Sequence, residues 1–186
     1  MKLATFAVTT DLGPETRVGV LADEETLVDV TAGYAAFLDA AGEQAPGELA
    51  AATVPPAMIE ILERGERAMD AVRDAREFAA GADAERGPGG ARLRYDVDEV
   101  DLLSPVPRPN SIRDYMVVEE HVRNALGDDI PDAWFDIPVY YKGDADCVAG
   151  PDDDIEWPAY SEQMDYELEL AAVIGEPARH VEPEDA

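Results

Sequence analysis

A chain of 186 residues is long enough for one good-sized domain, or for a small domain with part of a larger one. Its 42 acidic residues outnumber 14 basic ones and leave a net charge of −28, which excludes a surface that grips nucleic-acid phosphates or an anionic membrane. The acids are interleaved with apolar positions rather than gathered in a tail, so the expectation is a solvated acidic surface suited to high salt and a source such as a halophilic archaeon.

A single cysteine, Cys147, excludes an internal disulfide and any multi-cysteine metal site. The N-terminal MKLATFAVTT lacks the apolar core of a signal peptide, and no apolar run approaches the roughly 20 residues that span a bilayer. These features point to a cytoplasmic protein.

In chain order, KLATFAVTT, RVGVLAD and TLVDV read as three short strands, with turn signals at Gly13-Pro14 and Asp23-Glu24-Glu25. TAGYAAFLDAAG reads as a helix capped by Thr31. Pro55-Pro56 opens a long helical stretch, PAMIEILERGERAMDAVRDAREFAA, broken near Gly65. ADAERGPGGA is a turn-rich linker whose glycines lack the Lys-Ser/Thr of a nucleotide phosphate loop. RLRYDVDEVDLLSP reads as one or two strands ending at Pro105, Pro107 and Pro109.

Composition shifts near residue 98: both histidines, both tryptophans and the cysteine follow it. The expected division is a small N-terminal α/β domain over residues 1–98 and a functional part over residues 99–186, α+β overall. In the second part, IRDYMVVEEHVRNALG reads as a helix with Ser111 as its cap and Asp114 in the capping-box position. PVYYKGDADCVAG reads as a strand and then a loop, PDDDIEWP as an acidic turn, MDYELELAAVIG as a strand, and Pro183 as the start of another helix.

His121 falls seven residues after Asp114, nearly on the same helix face. It reads either as a surface histidine or as a general base, the side chain poised near neutral pH. Glu167 and Glu169 are two apart on the expected strand, about 7 Å along it and on one face, with Leu168 and Leu170 facing a core. The glutamates read either as an exposed edge of an acidic protein or as oxygen ligands of a hard divalent cation, which relieves their repulsion. Tyr141 and Lys142, at a strand end, read as a hold on a substrate anion or as ordinary packing and snorkelling. Asp152, Asp153 and Asp154 lack the glycine and distal glutamate of a calcium loop and read as a solvated turn.

IRDYMVVEEHVRNALG, IPVYYKGDADCVAGPDDDIEWP and MDYELELAAVIG, in this order and spacing, resemble the fumarylacetoacetate hydrolase family over roughly Leu102 to Ala186. The resemblance implies part of a β-rich mixed sandwich roll around Mg2+, Mn2+ or Ca2+. It implies hydrolysis, decarboxylation or isomerisation of a small keto or diketo acid, often in aromatic catabolism, by a homodimer. Asp114, Glu167 and Glu169 match metal ligands, His121 the base that activates water, and Tyr141 a substrate contact; Lys142 and Arg123 would add electrostatic support.

Two departures stand out. In many acylpyruvate-cleaving members a glutamate follows the histidine by three residues, and here that place is Asn124. The family also takes an aspartate ligand from a later strand, which would lie beyond Ala186. The expectation is therefore a C-terminally truncated chain, either an enzyme completed elsewhere or a catalytically incomplete remnant.

Overall fold

The computed structural model describes residues 1–127 and 129–185. The chain divides into two compact units, Met1–Pro107 with Ala149–Ala186, and Arg108–Val148.

The first unit is built on an antiparallel sheet. Strands β1 (Leu3–Thr10) and β2 (Gly13–Leu21) form a hairpin in the register Thr10↔Gly13 to Leu3↔Val20. Strand β3 (Thr26–Asp29) pairs with β2, and β4 (Arg94–Asp96) pairs with β3. Strand β5 (Asp101–Leu102) pairs with β1, so the sheet order is β4-β3-β2-β1-β5. β-Branched residues and alternation explain the strands, which bury Val18, Val20 and Val28 in the apolar core. Gly19 is needed in β2 because a Cβ there would lie 3.0 Å from the side chains of both Leu27 and Phe6.

Four helices follow β3. Helix α1 (Val30–Ala40) starts from Asp29, whose Oδ1 accepts from the Ala32 N–H at 2.9 Å. The expected cap, Thr31, instead lies inside the helix and donates its hydroxyl to the Val54 carbonyl at 2.6 Å. The aspartate wins because it sits at the last strand position with extended backbone, the geometry an N-cap requires. Helix α2 (Pro46–Thr53) has no counterpart in the sequence reading, although Pro46 in its first turn is a start signal.

Helices α3 (Met58–Glu63) and α4 (Glu66–Gly81) divide the expected long helix. Gly65, at φ 62°, makes the break in a conformation that costs other residues. Ala68, Ala71, Val72, Ala75 and Ala79 form one buried stripe along α4. Such small side chains let α4 approach α1, where a Cβ on Gly33 would lie 3.2 Å from that of Ala75. Arg76 ties α4 to the sheet by donating to the Leu21 and Ala22 carbonyls at 2.7 and 2.8 Å.

The second unit departs most from expectation. Ile112–Tyr115 is not the first turn of a helix but strand β6, paired antiparallel with β7 (Tyr140–Gly143). Ser111 and Asp114 therefore form no capping box. Ile112 and Tyr115 are better strand than helix residues, and β7 offers a ladder that satisfies their backbone groups. The helix, α5 (Glu119–Leu126), starts seven residues later than expected, and a short α6 (Asp132–Asp136) follows.

Residues 164–175 form no strand, contrary to the sequence reading. Leu168 and Leu170 do not face a core; they are 96 % and 101 % exposed. No described strand pairs with this stretch, and a strand without a ladder partner has no face to bury. Pro183 starts a single 3-10 turn to Asp185. The class is mixed α+β, with every described strand pairing antiparallel.

Candidate functional site

Asp114 owes its position to β6. It is half-buried and stands directly opposite Tyr141 of β7, which places both side chains on one face of the ribbon, with Cβ atoms about 5 Å apart. Arg113 stands opposite Lys142 on the other face. The Arg113 guanidinium lies 5.4 Å from the centre of the Tyr140 ring, and Tyr140 packs on Tyr115 with ring centres 5.2 Å apart. The pairing thus separates Tyr141 and Lys142, adjacent in sequence, to opposite faces.

His121 lies in the first turn of α5 and is exposed. Because Asp114 is on a strand, the two no longer share a helix face. Glu119, two residues before His121, accepts from Arg123 Nε at 3.0 Å and Nη2 at 2.5 Å, a one-turn ion pair that steadies the helix. Asn124, where a dyad glutamate would stand, is on the same helix.

Glu167 and Glu169 lie in the stretch 164–175 of the other unit, which has no regular secondary structure, and are exposed. Each offers a carboxylate oxygen, and these oxygens lie within 4.8 Å of one another. That spacing suits a shared hard cation, since two oxygens bound at about 2.0–2.6 Å sit at most about 5 Å apart. Both glutamates remain well hydrated, so the fit rests on the donor chemistry, two hard anionic oxygens side by side, and not on burial.

One titratable cluster falls where the sequence suggested little convergent chemistry. Asp29 is 2 % exposed, and burial pushes its carboxyl above the usual carboxylate range, against the pull of the Ala32 N–H and of Arg17. Arg17 Nη1 lies 3.6 Å from Asp29 Oδ2, and its Nη2 pairs with Glu15 at 2.7 Å. The same burial and the Asp29 charge raise the Tyr95 phenol. The sequence signal was present in TLVDV, an acid at the junction of a strand and a helix. It marks a cap rather than a catalyst.

Comparison with known proteins bears on residues 111–186, which match the family of the fumarylacetoacetate (FAA) hydrolase C-terminal domain. The chain is distantly similar to the mitochondrial oxaloacetate tautomerase FAHD2A of Homo sapiens, 31 % identical over 72 % of this chain and 38 % of the relative. The Bos taurus FAHD2A is 32 % identical over the same shares. The oxaloacetate tautomerase YisK of Bacillus subtilis is 27 % identical over 91 % of this chain and 51 % of that protein. The chain spans between about two fifths and half of the length of these relatives. Among the described residues, no helix is long and apolar enough to cross a membrane.

Proposed function

We propose that the protein acts on a small keto acid with the help of a divalent cation, and that isomerisation of an oxaloacetate-like keto diacid is the reaction it fits best. The observation that carries this reading is the pair Glu167 and Glu169, with carboxylate oxygens within 4.8 Å, inside a stretch of fumarylacetoacetate hydrolase-type sequence. The names of the relatives, oxaloacetate tautomerases, support the substrate class over the diketo acids of aromatic catabolism.

Glu167 and Glu169 would hold the cation, Mg2+ or its neighbours Mn2+ and Ca2+, and Asp114 would join them as a third carboxylate by family resemblance. A cation held there would stabilise negative charge developing on a keto oxygen of the substrate. The chain's own residues do the rest. His121 Nδ1 or Nε2 takes the proton next to the keto group and returns it to the oxygen, or activates water where a bond is cleaved. Tyr141 donates its hydroxyl to a substrate carboxylate, and Lys142 and Arg123 add positive charge to an otherwise acidic surface. The unit that acts is a homodimer.

The test is titration with Mg2+ and assay of oxaloacetate tautomerisation, with and without EDTA, on the protein and on Glu167→Ala, Glu169→Ala and His121→Ala. The glutamate variants lose Mg2+ affinity by about 10–100-fold or more, and turnover with it. His121→Ala keeps Mg2+ affinity and loses turnover by about 10²–10⁴-fold. Unchanged Mg2+ affinity in both glutamate variants rejects the metal reading, and unchanged turnover in the histidine variant rejects the base. A second reading, a remnant that binds the cation but turns nothing over, is favoured by the exposure of both glutamates, since hydrated carboxylates give a weak field. It predicts Mg2+ binding with no activity on any keto acid.

A further inference from the structure

Three of the 14 basic residues converge on one cleft in the first unit. Residues 85–93 fold back on themselves, with the Gly87 N–H donating to Ala91 O at 2.8 Å and the Leu93 N–H to Glu85 O at 3.0 Å. This brings Arg86 and Arg92 directly opposite one another across an isolated antiparallel bridge. Like charges so placed are destabilising. Arg94 follows two residues after Arg92 on β4, the edge strand of the sheet. All three arginines line a cleft of about 620 Å³, together with Thr26 and Tyr95.

In a chain where acids outnumber bases by 42 to 14, such a cluster is expected to be neutralised at once by neighbouring carboxylates. It is neutralised only in part. Arg92 Nη2 pairs with Glu99 at 2.5 Å. Arg86 Nη1 donates to the Gly90 carbonyl at 2.7 Å, and Arg94 donates to the carbonyls of Ala79 and Ala82 at the end of α4. These carbonyl contacts fix the guanidiniums in place without cancelling their charge.

Asp23, Glu85 and Asp96 also line the cleft. Asp23 is committed to its own turn, its Oδ1 accepting from the Glu25 and Thr26 N–H groups. Among the described residues, Glu85 and Asp96 form no ion pair with these arginines. The Arg92 guanidinium carbon lies over the Tyr95 ring, 4.7 Å from its centre, a contact that helps hold the guanidinium while its N–H donors stay available to a ligand.

We propose that this cleft binds a compact oxyanion with two or more acceptor groups, a phosphate or a small dicarboxylate. Guanidinium forks match both bidentately, and the cleft volume is that of a small-molecule site. Several guanidinium N–H donors can be engaged at once only by a ligand with two or more acceptor oxygens, which selects it over a ligand with one. Added salt weakens the binding by screening without removing its hydrogen-bonded part.

The experiment is calorimetric titration with inorganic phosphate and with malonate in dilute buffer containing EDTA. Saturable one-to-one binding of at least one of them is expected. Arg86→Gln/Arg92→Gln weakens it tenfold or more. Arg86→Gln alone, at an exposed residue, weakens it severalfold with an unchanged circular dichroism spectrum. Glu167→Gln/Glu169→Gln leaves it unchanged, which separates this site from the proposed cation site. Absence of saturable binding of both anions overturns the proposal, as does equal affinity in a folded Arg86→Gln and the unaltered protein.

Discussion

Strands β1 to β3 and residues 164–174 are both apolar stretches read from their patterning as strands, yet they meet opposite fates. In the sheet, each strand has a neighbour that takes its N–H and C=O groups, and both faces are covered: Val20 and Val28 on one face and Phe6 on the other are fully buried. In residues 164–174, Tyr166, Leu168 and Leu170 hold the same alternation in sequence and are exposed. The pattern names which residues share a face, but burial of that face is a property of the neighbour. The carboxylates divide the same way. Asp29 is buried and held by a cap and an arginine, whereas Glu167 and Glu169 keep their water and repel each other at close range.

The largest expected effect lies on the buried side. Phe6 sits under the sheet against Gly19 and packs on Tyr95 with ring centres 5.3 Å apart. Phe6→Ala removes the ring and leaves a cavity that Gly19 cannot fill, at a cost of about 3–5 kcal/mol. Urea denaturation measures it. A loss below about 1 kcal/mol would mean that the sheet relaxes around the gap and is less tightly built than its burial implies.

A smaller effect separates the two kinds of carboxylate. Because burial raises the Asp29 pKa, the folded state holds its proton to higher pH than the unfolded chain does. Above the ordinary value of 3.8, the unfolded state therefore binds fewer protons at this site than the folded state, and stability falls with rising pH until the folded pKa is passed. Asn caps a helix as well as Asp and carries no charge. Asp29→Asn removes this term, so its stability relative to the unaltered protein increases as pH rises from 3.8, and at pH 7 it lies within about 1 kcal/mol of the parent or above it. Denaturation at several pH values checks the sign, and because the same acidic surface is present in both proteins its repulsion cancels in the difference. A variant that loses ground as pH rises would show that the Arg17 pairing outweighs the burial.

The first unit was largely legible because its signals are local and agree with one another. Three β-rich runs with Asp23-Glu24-Glu25 between the second and third, Gly65 inside a helical stripe, and alanines spaced along α4 each name the structure they form. What failed were the places where one residue type serves two structures. IRDYMVV carries an apolar rhythm that suits a helix as well as a strand, and only β7, 25 residues later, decides for the strand. Asp114 kept its candidacy as a ligand while losing its imagined role as a cap. Tyr141 and Lys142 were paired by adjacency, which a strand reverses by turning neighbours to opposite faces. Glu167 and Glu169 were found because two equal charges two residues apart ask for a counter-charge whatever the local structure. The arginine cleft was missed because Arg86, Arg92 and Arg94 look like scattered charges until the Gly-Pro-Gly-Gly turn folds them together.

The smallest expected effect tests the exposed side of the contrast. Leu168 lies between the two glutamates and is 96 % exposed. A side chain already in water contributes no transfer free energy to the fold, so Leu168→Ser changes the stability of this chain by less than about 0.5 kcal/mol. It should also leave Mg2+ affinity unchanged, because the serine sits between the ligand positions without altering their charge. Urea denaturation and Mg2+ titration of the same sample read both quantities. A loss beyond about 1 kcal/mol would place Leu168 against a partner surface in solution. The apolar members of this stretch would then be a face waiting for its neighbour, like the inward side of β1 with its hairpin partner removed.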